Sequence, residues 1–215
     1  MANYKDEVIK HHDKYAKSYN RCSEWRINLL KKYSTKNSVL LDIGCGNGNF
    51  AIPISPFVKK VYGIDFCKEM LKELDIRKSA KNIDNIETHF LDITTNKMPV
   101  KNVDMVYSFS TLYYISEIET AIKQIYDILK PKGGTAILEF GNKYSIENYW
   151  SKRYGVPQFN ININYIKEYM VNAGFQVVDM LHFQLIPEFF DKDVPVNNNV
   201  LKHFAFRVVF VVKKL

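Results

Sequence analysis

Apolar and polar positions along this chain fall into two alternating textures. Short runs rich in Val, Ile, Leu and Phe predict strands over 39–43, 61–64, 86–90, 103–107, 135–140, 175–182 and 204–212. Between them lie longer stretches whose apolar residues recur at helical spacing. Met70, Leu71 and Leu74 mark a helix over 67–79, and Ile118, Ala121, Ile122, Ile125 and Leu129 mark another over 116–129. A third, over 164–173, stops at Gly174, a residue suited to the turn that ends helices. The segment 6–33 reads as one or two helices that precede any strand and are expected to cap the domain.

The first five strands alternate with helices, the pattern of parallel strands covered on both faces. The last two are joined by 184–202, where Pro187, Pro195 and Asn197-Asn198-Asn199 read as loop rather than crossover helix. Without a crossover, neighbouring strands run antiparallel. The expected fold is α/β: a mostly parallel sheet with one antiparallel strand near the C-terminus, helices on both faces and an N-terminal helical cap. At 215 residues, with no repeat or linker, one domain is expected. Its cap would span 1–36, and the aromatic-rich segment 141–161 would form a lid. Pro53 and Pro56 fall where the helix after the first strand should run, so that helix is expected to be short or kinked.

The first strand runs into Asp42-Ile43-Gly44-Cys45-Gly46-Asn47-Gly48. Gly44 and Gly46 let the backbone turn sharply and approach a ligand with no Cβ in the way. By themselves, three glycines fit a tight turn that binds nothing. The next two strands add chemistry. Asp65 closes the second, where a carboxylate can accept both hydroxyls of a ribose. Asp92 closes the third, placed to accept from an adenine amino group while the Ile93 N–H serves a ring nitrogen. Asp42, Asp65 and Asp92 thus stand at the carboxyl ends of three successive strands, the edge where open α/β sheets bind ligands.

These residues resemble the class I, Rossmann-like S-adenosylmethionine-dependent methyltransferases, in particular the small-molecule branch related to the ubiquinone and menaquinone enzymes. Asp42 to Gly48 is similar to the first family motif, Asp65 to the ribose-binding acid and Asp92 to the adenine-side acid. Val103 to Ile115 looks like the fourth-strand motif, Leu129-Lys130-Pro131-Lys132-Gly133-Gly134 like the turn before the fifth strand, and Asn172-Ala173-Gly174-Phe175 like the turn before the sixth. Ala16-Lys17-Ser18-Tyr19-Asn20 resembles the cap motif whose tyrosine closes over the cofactor, with Asn20 where an Asp is common. The likeness runs from about Tyr15 to Val212 in the family's order. It implies a seven-stranded sheet with S-adenosylmethionine held by Tyr19, Asp42, Gly44, Cys45, Gly46, Asp65, Phe66, Asp92, Ile93 and Ser108. Methyl transfer would be an in-line displacement, giving S-adenosylhomocysteine. The acceptor would lie beyond the fourth and fifth strands, lined by Tyr15, Tyr113, Tyr144 and Trp150, with Tyr114, Tyr149 and Tyr154 as further candidates. No residue is singled out as a general base; His89 reads as structural and His11-His12 as solvated helix surface.

Composition narrows the alternatives. The 30 basic residues exceed the 23 acidic ones, a net charge of +7, but the lysines are scattered and no Arg-rich block appears. Nucleic acid is therefore not the expected partner; a small-molecule acceptor is, for a monomer or homodimer. An RNA or protein acceptor is the nearest rival, and the fourth strand carries Ser108-Phe109-Ser110-Thr111 in place of the Asn/Asp-Pro-Pro-Tyr/Phe of amino-group nucleic-acid methylation. An NAD(P)-dependent oxidoreductase would need a glycine where Asn49 stands. A non-catalytic cofactor-binding domain is the third rival. The charged start Met1 to Glu7 lacks the apolar core of a signal peptide, and the most apolar stretch, 204–212, is too short to cross a bilayer. Cys22, Cys45 and Cys67 form no CxxC pair, so no metal is expected and the location expected is cytoplasmic.

Overall fold

The computed structural model describes residues 4–18, 22–95, 97–145, 158–183 and 195–215. Seven strands form one sheet: β1 Val39–Ile43, β2 Lys60–Asp65, β3 Ile86–Phe90, β4 Met105–Ser108, β5 Thr135–Gly141, β6 Phe175–Phe183 and β7 Arg207–Lys214. Their order is β3-β2-β1-β4-β5-β7-β6. The strands β3, β2, β1, β4 and β5 pair in parallel, while β7 is antiparallel to both β5 and β6. The single reversed strand expected from the missing crossover is thus β7, wedged between β5 and β6.

Strand alternation sends neighbouring side chains to opposite faces. In β1, Leu40 enters one core with Val61, Met105 and Ile137, while Leu41 and Ile43 enter the other with Ile64, Val106 and Leu138. Helices α5 (Ile118–Ile128) and α6 (Ile163–Asn172) cover the second face with Ile122, Ile125, Ile166 and Met170. The first face is covered by α2 (Glu24–Tyr33), α3 (Ala51–Ile54) and α4 (Lys68–Ala80), through Leu29, Leu30, Ile54 and Leu74. The segment before β1 is two helices, and only α1 (Tyr4–Tyr15) reaches over the carboxyl edge of the sheet; α2 is packed on its face.

The proline reading of α3 holds. It lasts four residues and passes into a 3₁₀ turn, Ser55–Phe57, because Pro56 offers no N–H and its ring would strike the carbonyl four residues back. The β2, β5 and β6 bounds fall within a residue of expectation, while β4 and β7 shift further. Val103 makes only an isolated bridge to Leu129, and β4 begins at Met105. At the other end, Leu201–Phe204 forms a 3₁₀ turn, and β7 instead extends to Lys214. The Lys214 ammonium donates to the carbonyls of Tyr126 (2.7 Å) and Leu129 (3.2 Å), serving groups that the end of α5 leaves open.

Candidate functional site

The carboxyl ends of β1 to β4 converge under α1, and two adjoining cavities open there. The larger, about 630 Å³ of empty space, lies among the Gly44–Asn47 turn, Phe66, the Phe109–Thr111 turn and the α1 residues Val8, Ile9 and His12. The smaller, about 410 Å³, lies among Ile43, Ile64, Leu91 to Thr94, Ile115 and the α1 residues Tyr4 and Lys5. Gly44, Asp65, Phe66, Thr111 and Tyr114 line both.

The glycines of the turn have different reasons to be there. Gly44 (φ +70°) would place a Cβ 2.2 Å from Thr111 Oγ1, so it is the close approach of the β4 turn that excludes a side chain. Gly46 (φ +51°) would place its Cβ in open space, with only Met70 Sδ near, at 3.9 Å. A side chain there would grow into the cavity rather than into the protein. The amides of Gly44 and Cys45 both donate to the Ile64 carbonyl, at 2.8 and 3.1 Å, which locks the turn onto β2.

Asp65 sits where the two cavities meet. Its Oδ2 accepts from Gly46 N–H and its Oδ1 from Cys67 N–H, each at 2.8 Å. Those bonds use one acceptor position on each oxygen and leave about one more on each for a donor in the cavity. Burial pushes its carboxyl up to about 6, against the pull of the amide bonds. Asp92 is different. Burial alone would raise its carboxyl, but bonds from Lys5 Nζ (2.7 Å), Thr94 N–H (2.8 Å) and Thr94 Oγ1 (2.7 Å) outweigh this and hold it low. Lys5 therefore ties α1 across the smaller cavity to the end of β3. A second tie, from Asn47 Nδ2 to the Ala16 carbonyl (2.6 Å), joins α1's end to the glycine turn.

Not every residue expected at the site reaches it. Gly44, Cys45, Gly46, Asp65 and Phe66 line the larger cavity, and Asp92 and Ile93 the smaller. Asp42 does not: it pairs with Gly63, two residues below the end of β2, and is buried in the core, 1% exposed, where burial pushes its carboxyl well above the usual range. Ser108 is fully buried and donates to the Ile43 carbonyl (2.9 Å), pinning β4 to β1. Of the acceptor-side aromatics, Tyr113 is buried under the Arg207 guanidinium, 5.6 Å from it. In a 3₁₀ turn its neighbour Tyr114 points elsewhere, into the cavities. Tyr15 and Tyr144 are exposed and line neither cavity. Tyr19, Tyr149, Trp150, Tyr154 and most of the expected lid lie outside the described residues.

Sequence reading placed a helical cap over the site but missed the α1 residues that line it. Tyr4, Lys5, Val8, Ile9 and His12 recur at helical spacing and line the cavities together, so His12 is not solvated helix surface. It missed the support of the Ser110 turn as well. Glu139 on β5 is fully buried; its Oε2 accepts from Arg26 Nη2 (2.7 Å) and its Oε1 from Arg207 Nη1 (2.8 Å) and Ser110 N–H (3.1 Å). Burial opposes ionisation, but the two guanidiniums hold its carboxyl down at about 2. Ser110 itself adopts φ +57°, rare for a side-chain-bearing residue, and this network fixes it there. Among the described residues no His/Cys/Asp/Glu group could hold a metal ion, and no helix is long and apolar enough to cross a membrane.

Comparison with known proteins adds to this geometry. Residues 40–133 match the family described as a methyltransferase domain. The demethylmenaquinone methyltransferase of Geobacillus kaustophilus is 26% identical over 140 residues, 62% of this chain and 60% of that protein. The chain thus matches about 60% of that relative's length. Among solved structures, an S-adenosylmethionine-dependent methyltransferase from Clostridium acetobutylicum superposes with a TM-score of 0.69 at 16% identity, covering 99% of each chain. The magnesium protoporphyrin IX methyltransferase of Synechocystis, solved with bound S-adenosylhomocysteine, gives 0.66 at 15% identity, covering 100% of this chain and 89% of that one. At these identities the structural likeness speaks for the fold.

Proposed function

We propose that this chain, a class I Rossmann-like S-adenosylmethionine-dependent methyltransferase, transfers the sulfonium methyl group of that cofactor to a small-molecule acceptor. The observation that carries the reading is Asp65: an acid at the end of β2, at the junction of two cavities, anchored by backbone amides yet with acceptor capacity to spare. That capacity matches the two vicinal hydroxyls of a ribose. The open space above Gly46 suits close passage of a ligand chain, and the apolar walls Ile43, Ile64, Leu91 and Ile93 suit a flat base. Asp92 and the Ile93 amide would recognise the base edge, Gly44 to Gly46 and Phe66 would border the rest of the cofactor, and Tyr19 would close the cap.

The cofactor supplies a methyl carbon already activated by positive sulfur, so what this chain must contribute is alignment and exclusion of water. Such positioning accounts for roughly 7–11 kcal/mol of a barrier. The roof of α1, tied at Lys5 and Asn47, favours a small acceptor over a polymer, as does the scatter of basic residues. The names of the two relatives with stated acceptors, a demethylmenaquinone and a magnesium porphyrin, point the same way. The test is calorimetric titration with S-adenosylhomocysteine, then incubation with methyl-labelled cofactor and a metabolite panel. Binding that is lost in Asp65→Ala, with the fold retained, is expected. Equal affinity in the two proteins, or preference for a nicotinamide dinucleotide, would refute the reading.

A further inference from the structure

His12 stands on the inner face of α1 and lines the larger cavity together with Gly44, Gly46, Ser110 and Thr111. Its Nδ1 lies 2.8 Å from the Val8 carbonyl oxygen, one helical turn back. A carbonyl only accepts, so Nδ1 carries the hydrogen and the neutral ring keeps its basic lone pair on Nε2. The ring is held edge-on to Tyr114, 5.3 Å between centroids at 84°, and Tyr114 lines the same cavity.

The other described titratable groups of that cavity suit the task less well. Asp65 accepts from two backbone amides, and its remaining acceptor capacity serves the ribose in the reading above. Cys67 donates to Asp13, and burial pushes its thiol up to about 12; burial raises the Cys45 thiol well above its ordinary value as well. Tyr114 is a phenol, protonated at neutral pH and hence no base.

We infer that His12 Nε2 is the catalytic base of this site, and that the methyl acceptor reacts through a hydroxyl oxygen or thiol sulfur that must give up its proton. The inference rests on the methyltransferase reading above and deepens it. An ionised carboxylate or a neutral amine offers its electron pair without prior loss of a proton; a hydroxyl or thiol reacts well only as it loses one. In the step, the acceptor's O–H or S–H bond breaks and its proton passes to Nε2. The freed pair forms the new bond to the methyl carbon, whose bond to sulfur breaks with its pair left on sulfur. The imidazolium so formed keeps its Nδ1–H bond to Val8, so the ring need not turn over.

Three readouts test this. Nitrogen-15 NMR of the ligand-free protein at mildly alkaline pH should show His12 protonated at Nδ1 and bare at Nε2; the opposite tautomer would overturn the proposal. His12→Gln should bind S-adenosylhomocysteine within about threefold of the unaltered chain, yet transfer methyl to phenol or benzenethiol about 100-fold more slowly. With 4-nitrophenol, far more ionised in solution, that loss should shrink toward a few-fold, which a merely structural histidine would not produce. An equal loss on both phenols, or none, overturns the role of His12. Absence of transfer to every such probe by the unaltered chain, with S-adenosylhomocysteine bound normally, overturns the acceptor class. Failure to bind S-adenosylhomocysteine would instead count against the methyltransferase reading beneath it.

Discussion

Asp65 makes a quantitative prediction possible, because its carboxyl titrates near pH 6 in the free protein. Ribose hydroxyls donate to the ionised form, so an adenosine-type ligand should bind that form and release the proton from the other. With the bound carboxyl held ionised by those hydroxyls, the apparent dissociation constant scales as one plus the ratio of protonated to ionised Asp65. That is about twofold weaker at pH 6 and roughly tenfold weaker at pH 5 than at pH 8, or ~1.4 kcal/mol at pH 5. The same shift acts on stability. A folded value of about 6 against an ordinary 3.8 means that the group's contribution is complete below pH ~4 and is lost as pH rises through 6, in all about 3 kcal/mol. Ligand should offset part of that cost, so the rise in melting temperature on adding S-adenosylhomocysteine should be larger at pH 7.5 than at pH 5. Calorimetry in two buffers of different ionisation heat, from pH 5 to 8, measures affinity and proton release together. Asp65→Asn should bind weakly at every pH with the Asp65 step gone. His12→Gln should keep the step, which separates it from titration of the cavity's histidine. A dissociation constant that does not change between pH 5 and 7, or a step that survives in Asp65→Asn, would refute the ribose role.

The other expectations concern packing and charge. Gly46→Val should lose stability, because a β-branched residue is strained at φ +51°, and the folded variant should not bind S-adenosylhomocysteine by calorimetry, since its side chain would enter the cavity. Gly44→Ala should be the more destabilising of the two in urea melts, because its methyl would meet Thr111 at 2.2 Å; equal stability would mean the β4 turn yields freely. Glu139→Gln leaves two buried guanidiniums facing a neutral amide and should cost about 3–5 kcal/mol in denaturant titration. The unaltered chain should lose about 3 kcal/mol as pH falls from about 4.5 through 2, because the ionised Glu139 is favoured by the fold. Acid unfolding of Glu139→Gln that follows the same curve would contradict this.

The strand and helix pattern, the reversed β7 and the truncated α3 were all legible in the sequence, because each follows from a local rule. Period-two and period-3.6 burial, the missing N–H of proline and the need for a crossover between parallel strands act within a few residues or between neighbours in the chain. The placement of Asp65 and Asp92 at one edge follows from the same rule, since parallel strands share a carboxyl end. What only the tertiary structure decided is which side chains at that edge face a ligand. Asp42 and Asp65 look alike in the sequence and, by the β1–β2 register, share a face of the sheet; yet Asp42 lies level with Gly63, two residues short of the end of β2, and is buried in the core, whereas Asp65 ends its strand and reaches the cavity. Tyr113 and Tyr114 are likewise separated by the winding of a three-residue turn. The roof formed by α1 and the meeting of Glu139 with Arg26 and Arg207, 113 and 68 residues away in the chain, depend on how distant elements pack. No window of local sequence holds that information, because the charges become partners only once the sheet has brought them together.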